Sequence, residues 1–530
     1  MHNKSHMQHS FSRVPQVNIE RSVFNRVSGY KTTFDEGYLV PVMIDEVLPG
    51  DTFNLEATMF ARLATPLKPI MDNLVMDTFW FFVPNRLVWE NWVHFMGEKH
   101  NPADSTTYSV PQIVAPAITG WEVGTLSDYF GLPTGKPGLS VSSLWHRAYN
   151  LIYNEWFRDQ NLIDSATVDT GDGPDTNSNY VLRRSAKAHD YFTSCLPLPQ
   201  KGPAVTFPLG TTAPVRGIAA YNKTWNTQGS PVTIYESGGV DFTLTAGSKY
   251  KNPSINNQDN NIFVRESDGY PNIYTDLSSA ASATINQLRE AFQIQKMYEK
   301  DARGGTRYTE ILRSHFGAIN PDFRLQRPEY LGGNSTPVNI STIPQTSVTA
   351  ATPQGNLAGM GVVASVRNGF TKSFTEHGLL MGIVRVRADL TYQQGIYRGF
   401  SRLTKFDFYW PSLAHLGEQA VLNKEIYADN SANDALTFGY QERWAEYRYG
   451  ISKITGKFRS TYSTPLDVWH LAQKFDNLPT LSQTFIEENA PMGRVIAVNT
   501  EPHFLLDCYF KNVTTRPMPV FSVPGLMDHF

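Results

Sequence analysis

Between Phe53 and Leu63 the chain alternates in a way that leaves few folds open. Phe53, Leu55, Ala57, Met59, Ala61 and Leu63 fall on one face of an extended strand. Asn54, Glu56, Thr58 and Arg62 fall on the other, with Phe60 the one exception. A period of two marks a strand with one face in a core and one in water. Leu74 to Val83 is instead almost continuously apolar, the pattern of a strand covered on both faces. With a further strand-like run before Pro49, residues 37–92 hold three strands and begin a large β core. The same stretch contains no acid–base cluster, metal box or phosphate loop.

At 530 residues the chain far exceeds the ~250–300 at which one hydrophobic core usually stops growing. Either several domains or one domain with very large insertions is expected. An apolar content of 41% suffices for a core, and 38 Gly with 33 Pro imply many turns. The net charge of −3 creates no global field toward nucleic acid or membrane, so such contacts need a local patch. The two cysteines, Cys195 and Cys508, do not make a disulfide framework and suit a reducing compartment. The start, MHNKSHMQHSFSRVPQ, has no apolar stretch of a secretory signal. No run reaches the ~20 apolar residues that span a bilayer. The expectation is a soluble protein made and used in cytoplasm.

Four segments follow from the pattern. Residues 1–36 read as a basic extended arm, with Lys4, Arg13, Arg21, Arg26 and Lys31 against Glu20, Asp35 and Glu36, ordered only by partners. Residues 37–204 hold the first strands, inserted loops and helices near 85–96 and 143–158, the first capped by Asn85. Residues 205–280 shift to Gly, Asn, Ser and Thr with pieces such as VTIYE and VDFTLTA, and read as an exposed insertion. Residues 281–530 open with helices at about 285–302 and 307–316, stopped by Gly304-Gly305 and Gly317. A long loop tract is expected over 320–378, then strands at 379–392, 405–410, 443–450 and 503–513. Strands at both ends of the chain suit one β barrel or sandwich joined by very long insertions.

Chemistry is sparse. GMGVVA at 359–364 matches a dinucleotide fingerprint but lacks the flanking strand and helix, so a flexible loop is the simpler reading. The acidic DSATVDTGDGPD at 164–175 has the wrong spacing for a calcium loop and reads as solvated. His189-Asp190 near Cys195 suggests a thiol site only if the fold aligns them, and a buried structural cysteine is preferred. QERWAEYRYG at 441–450 offers no clear carboxylate pair for a glycosidase cleft. No catalytic residue, cofactor-binding residue or metal ligand is assigned, and no cofactor is expected. The arm remains: Arg13, Arg21, Arg26 and Lys31 interleave with Phe11, Phe24, Tyr30 and Phe34. They suit a neighbouring subunit or the phosphates and bases of single-stranded nucleic acid. A β-sandwich carbohydrate-binding or glycan-active protein is the alternative class.

Longer segments carry a resemblance. ATPLKPIMDN (64–73), DTFWFFVPNRLVW (77–89), AYNLIYNEWFRDQNL (148–162), DARGGTRYTEILRSHFG (301–317) and RLQRPEYLGG (324–333) come first. TPQGNLAG (352–359), GFTKSFTEHG (369–378), RADLTYQQG (387–395), WPSLAHLGEQAVLNKEIY (410–427), GYQERWAEYRY (439–449) and RPMPVFSVPGLMDHF (516–530) follow. Together they resemble the major capsid proteins of the Microviridae, in the gokushovirus branch of small single-stranded DNA bacteriophages.

The resemblance implies a mainly β fold: a single eight-stranded antiparallel jelly roll of viral capsid type with long loop and helical insertions. It implies sixty copies in a T=1 icosahedral shell around circular single-stranded DNA, with no enzymatic residues. The implied partners are an internal scaffolding protein, a small basic DNA-packaging protein, a minor pilot protein and a host surface receptor. Residues 205–280 would form threefold protrusions used in host attachment. The protein would reside in the virion, after assembly in the bacterial host cytoplasm and without membrane insertion.

Overall fold

In the computed structural model, residues 19–205, 285–350 and 352–521 are described, with short strand segments between 215 and 275. The chain divides into two compact units, Met1–Pro199 with Lys300–Phe530, and Gln200–Glu299. In the smaller unit Val232–Tyr235 pairs antiparallel with Asp241–Leu244. The exposure expected of 205–280 lies outside the described residues.

The larger unit is mainly β. Its nine principal strands are β1 (Ser22–Phe34), β2 (Val40–Val47), β3 (Thr52–Leu63), β4 (Leu74–Pro84), β5 (Glu329–Pro337), β6 (Asn339–Pro344), β7 (Leu357–Ser373), β8 (Gly378–Ala388) and β9 (Phe504–Arg516). They form a five-stranded sheet, β1-β9-β3-β7-β6, and a four-stranded sheet, β5-β4-β8-β2. All neighbours are antiparallel. The first strand therefore pairs with the last, from Ser22↔Arg516 to Phe34↔Phe504.

The alternation of β3 has the expected consequence. Phe53, Leu55, Ala57, Met59, Ala61 and Leu63 are all buried in the main core, and the intervening residues from Asn54 to Arg62 are exposed. Leu74, Met76, Trp80 and Phe82 of β4 enter the same core. Trp80 reaches β7 and β9, its ring 6.1 Å from Phe370 and 6.2 Å from Phe510. Its Nε1 donates to Asn368 Oδ1 at 3.2 Å, satisfying a donor that burial would otherwise strand. Asn368 is placed by a bulge: the β7–β3 register shifts between Ser365 and Asn368, where Arg367 takes a left-handed φ of 56°.

β4 is covered on its other face too. Phe81 and Val83, with Leu379, Met381 and Ile383 of β8, pack against α1 (Leu144–Ile152). Leu144, Ala148 and Ile152 recur at helical spacing and form part of this second core. A third cluster gathers Tyr191, Phe192, Cys195, Tyr392, Val421, Phe438 and Phe485 around the hairpin Glu418–Leu422 and Thr437–Glu442.

Several expectations are corrected. Ser22–Phe34 is a strand of the main sheet, not an arm awaiting a partner. The 320–378 tract contains β5, β6 and β7. GMGVVA lies inside β7, so it is neither a phosphate turn nor a loop. KFDFYW at 405–410 is a short 3₁₀ turn and irregular chain, and 443–450 turns rather than extends. Asn85 is the first residue of its helical turn, which has Pro84 at the N-cap position and no side-chain cap. Asp175 is not solvated: it is buried and takes the Arg147 guanidinium on both oxygens, Nε at 2.7 Å and Nη2 at 2.5 Å.

Candidate functional site

The arm cations do not converge. Arg26 forks onto Asp45 with bonds of 3.1 and 2.5 Å, donates to Thr514 Oγ1 at 2.9 Å, and lies over the Phe53 ring. It is a tie between β1, β2 and β9. Lys31 faces Asp507, its cross-strand partner, at 2.7 Å, with both side chains largely in water. Arg21 is exposed and donates to the Gly50 carbonyl at 2.5 Å and to Thr52 Oγ1 at 3.1 Å. Arg13 lies outside the described residues.

The sites that would carry enzyme chemistry are disarmed by their surroundings. Cys195 is buried, its thiol donates to the Tyr191 carbonyl at 3.3 Å, and burial pushes its pKa up strongly. It is therefore a poor source of thiolate. A cavity of about 460 Å³ is lined by Trp121, Tyr129 and Ser127. Ser127 Oγ lies 2.9 Å from His146 Nε2. Burial lowers that imidazole to about 4, and its Nδ1 has no hydrogen-bond partner among the described residues. A nucleophile's base needs an orienting group on that nitrogen, so this pair is structural.

One potential metal-binding group occurs among the described residues. Asp35, Glu36 and His503 each offer one ligand atom, all within 4.8 Å of one another. His503 Nδ1 lies 2.6 Å from Glu36 Oε2 and 3.4 Å from Asp35 Oδ1, and its amide donates to Asp35 Oδ1 at 2.9 Å. Mixed imidazole and carboxylate donors suit a divalent transition metal. As folded, the same atoms satisfy one another as an ion-paired corner.

What the surface offers instead is apolar area. Between β8 and β9, Phe400, Leu403, Phe406, Phe408, Tyr409 and Trp410 are all exposed. Their support is a buried charge network. Arg398 pairs with Glu425 at 2.8 Å and Arg402 with Glu446 at 3.2 Å, while Gln419 donates to the second Glu446 oxygen at 2.8 Å. Arg402 also lies over the Phe408 and Tyr447 rings. Exposed aromatics of this kind are enriched where proteins meet other macromolecules. No helix among the described residues is long and apolar enough to cross a membrane.

The family described as "Capsid protein (F protein)" matches residues 12–526. This chain belongs to that family. Its relatives include proteins named "Capsid protein VP1". That of Bdellovibrio phage phiMH2K is 48% identical over 99% of both chains. That of Chlamydia phage 1 is 42% identical over 98% of both. That of Spiroplasma virus 4 is 37% identical over 98% of this chain and 97% of its own. The protein is a phage capsid protein, a structural component and not an enzyme.

For a capsid protein the important residues are those that fold the wall and those that meet its neighbours. Sequence reasoning missed both the Asp35–Glu36–His503 corner and the exposed 400–410 stretch. The first joins residues 467 positions apart and leaves no local signal. The second shows in the sequence as a run of aromatics interrupted by Lys405 and Asp407, whose part at 405–410 has the pattern of a strand.

Proposed function

We propose that this capsid protein is the shell-forming subunit and that its two sheets are an eight-stranded jelly roll. The observation that carries the proposal is the nesting of strand pairs. β1 pairs with β9, β2 with β8, β3 with β7 and β4 with β5. Each early strand meets a late one in reverse order, as when one long hairpin is rolled into two facing sheets. β6 is an added edge beside β7. The two long insertions, between β4 and β5 and between β8 and β9, supply surfaces rather than a catalytic cleft.

In this reading sixty copies close a T=1 icosahedral shell around circular single-stranded DNA. An internal scaffolding protein, a small basic packaging protein and a minor pilot protein join during assembly in the bacterial cytoplasm. Residues 205–280 face outward toward a host receptor. Arg13, Arg21 and Lys31 are the arm cations left to meet the genome or a neighbouring subunit, whereas Arg26 is held by Asp45.

Electron microscopy of the purified protein, reconstructed to side-chain resolution, tests the proposal. Closed particles of sixty subunits with nested strand pairs are expected. A stable monomer that never enters a particle sinks it.

A further inference from the structure

We propose that the exposed stretch Phe400–Trp410 is a face on which a second copy of this chain docks. The proposal rests on the shell-forming reading and names a surface that would build the shell. Phe400 is 82% exposed and Leu403 93%, while Phe406, Phe408, Tyr409 and Trp410 are 47–58% exposed. Scattered apolar residues on a surface need no explanation, but six within eleven positions concentrate exposed apolar area in one segment of the chain.

Its size fits the role. At about 150–250 Å² for each large aromatic, these side chains leave on the order of 700 Å² in water. A stable protein interface removes about 800 Å² from each partner. The patch is thus close to one side of a standard contact.

Its rigidity fits as well. Asp407 accepts from the Leu403 and Thr404 amides at 3.1 and 2.7 Å and fixes the turn. Trp410 Nε1 donates to the Lys405 carbonyl at 2.8 Å. Tyr409 stands edge-on to Trp444 at 5.7 Å, and Trp444 Nε1 is held by the Leu413 carbonyl at 3.0 Å. Rings already held in place lose little entropy on docking, which leaves more of their burial as binding energy.

The charges decide between a protein and a nucleic-acid partner. Aromatics with basic residues are also the makings of a single-strand DNA groove, where free cations neutralise phosphates. Here the two arginines are engaged by carboxylates. Arg398 and Arg402 are tied to Glu425 and Glu446, and Lys405 lies over the Phe406 ring. Asp407 adds a carboxylate at the centre of the stretch. An apolar patch with paired charges is the composition of a protein–protein interface core, with aromatic and Arg side chains enriched. In a shell made of one chain, the neighbour is another copy.

The test uses the full chain in assembled particles. A photo-crosslinking phenylalanine analogue is placed at position 400 or 403. Covalent dimers of the chain on a denaturing gel are expected. Adducts to DNA or to a different protein, or no adduct, overturn the proposal. In parallel, the double variant Phe400→Ser/Leu403→Ser is expected to lose about tenfold or more in particle yield. Its melting temperature as a free subunit should match the parent, because both side chains are already in water. Particles at parental yield overturn the proposal. If the parental chain itself forms no particles, it is the shell-forming reading that fails.

Discussion

His503 Nδ1 lies 2.6 Å from Glu36 Oε2, locking the residue just before β9 to the turn between β1 and β2. The Glu36 hydrogen bond raises the imidazole pKa above its ordinary value of 6.5. Burial opposes the shift, the Glu36 and Asp35 charges add to it, and Arg184 subtracts. A raised folded pKa means the charged form stabilises the fold. That contribution is complete below about pH 6.5 and is lost as pH rises through the raised value. Through His503 alone, free subunits should be less stable at about pH 9 than at about pH 6, a difference that His146 and Lys187, both held below their ordinary pKa by burial, oppose. His503→Gln should flatten this difference, because the amide does not titrate. A variant with the parental pH profile refutes the role of His503.

Trp80 is one of the side chains that fasten the two sheets. Trp80→Ala removes a fully buried indole and leaves Asn368 Oδ1 without its donor. The expected loss is about 3–5 kcal/mol, from transfer and cavity together. Phe60→Ala, on the exposed face of β3, should cost less than about 0.5 kcal/mol in the free subunit. Chemical unfolding of the two variants compares them directly, and equal losses would contradict the assignment of faces.

The contrast between these two positions shows what could be read beforehand. β3, β4, β8 and β9 have clear apolar patterns, because burial alone selects their residues. β1 breaks its pattern at Arg26, a cation in a half-buried position that is tolerable because Asp45 on β2 of the other sheet takes its charge. β5 and β7 contain Gly332, Gly333, Gly359, Gly361 and Gly369, residues of low strand propensity, so their pairing is imposed by β4 and β3. KFDFYW has the reverse character. Its aromatics have strand propensity, but among the described residues no strand pairs with them. The site was less legible than the fold, since a contact surface has no motif and its partner is not in the sequence pattern.

Arg147 and Asp175 form a pair with both side chains out of water. Arg147 Nη1 also donates to the Val88 and Gly171 carbonyls, each at 2.9 Å, and Tyr180 donates to Asp175 at 2.9 Å. The pair thus fastens the 164–175 loop to α1. Asp175→Ala strands a buried guanidinium and should cost about 3–5 kcal/mol. Arg147→Met/Asp175→Leu, which removes both charges at similar volume, should recover much of that loss. Denaturant midpoints of the two variants decide the matter, and a double variant no better than the single would show that the loop needs the hydrogen bonds themselves.

Arg26 and Lys31 sit on the same strand and the sequence pattern offers both as contact residues, yet their settings predict different outcomes. Lys31 and Asp507 are both more than half exposed, where water and salt screen the attraction and two long side chains lose freedom. Lys31→Ala should change subunit stability by about 0–1 kcal/mol, and less at high salt. Arg26 makes a two-pronged bond to Asp45, a third bond to Thr514, and a stack on Phe53. Its planar fork matches the carboxylate, so Arg26→Lys should also be costly. Arg26→Ala should lose about 1.5–3 kcal/mol, since a charge-assisted bond and packing go together. If Lys31→Ala nevertheless reduces particle yield or genome retention while leaving subunit melting unchanged, Lys31 acts between molecules. Arg26→Ala, in contrast, should lower both in proportion to the stability it removes.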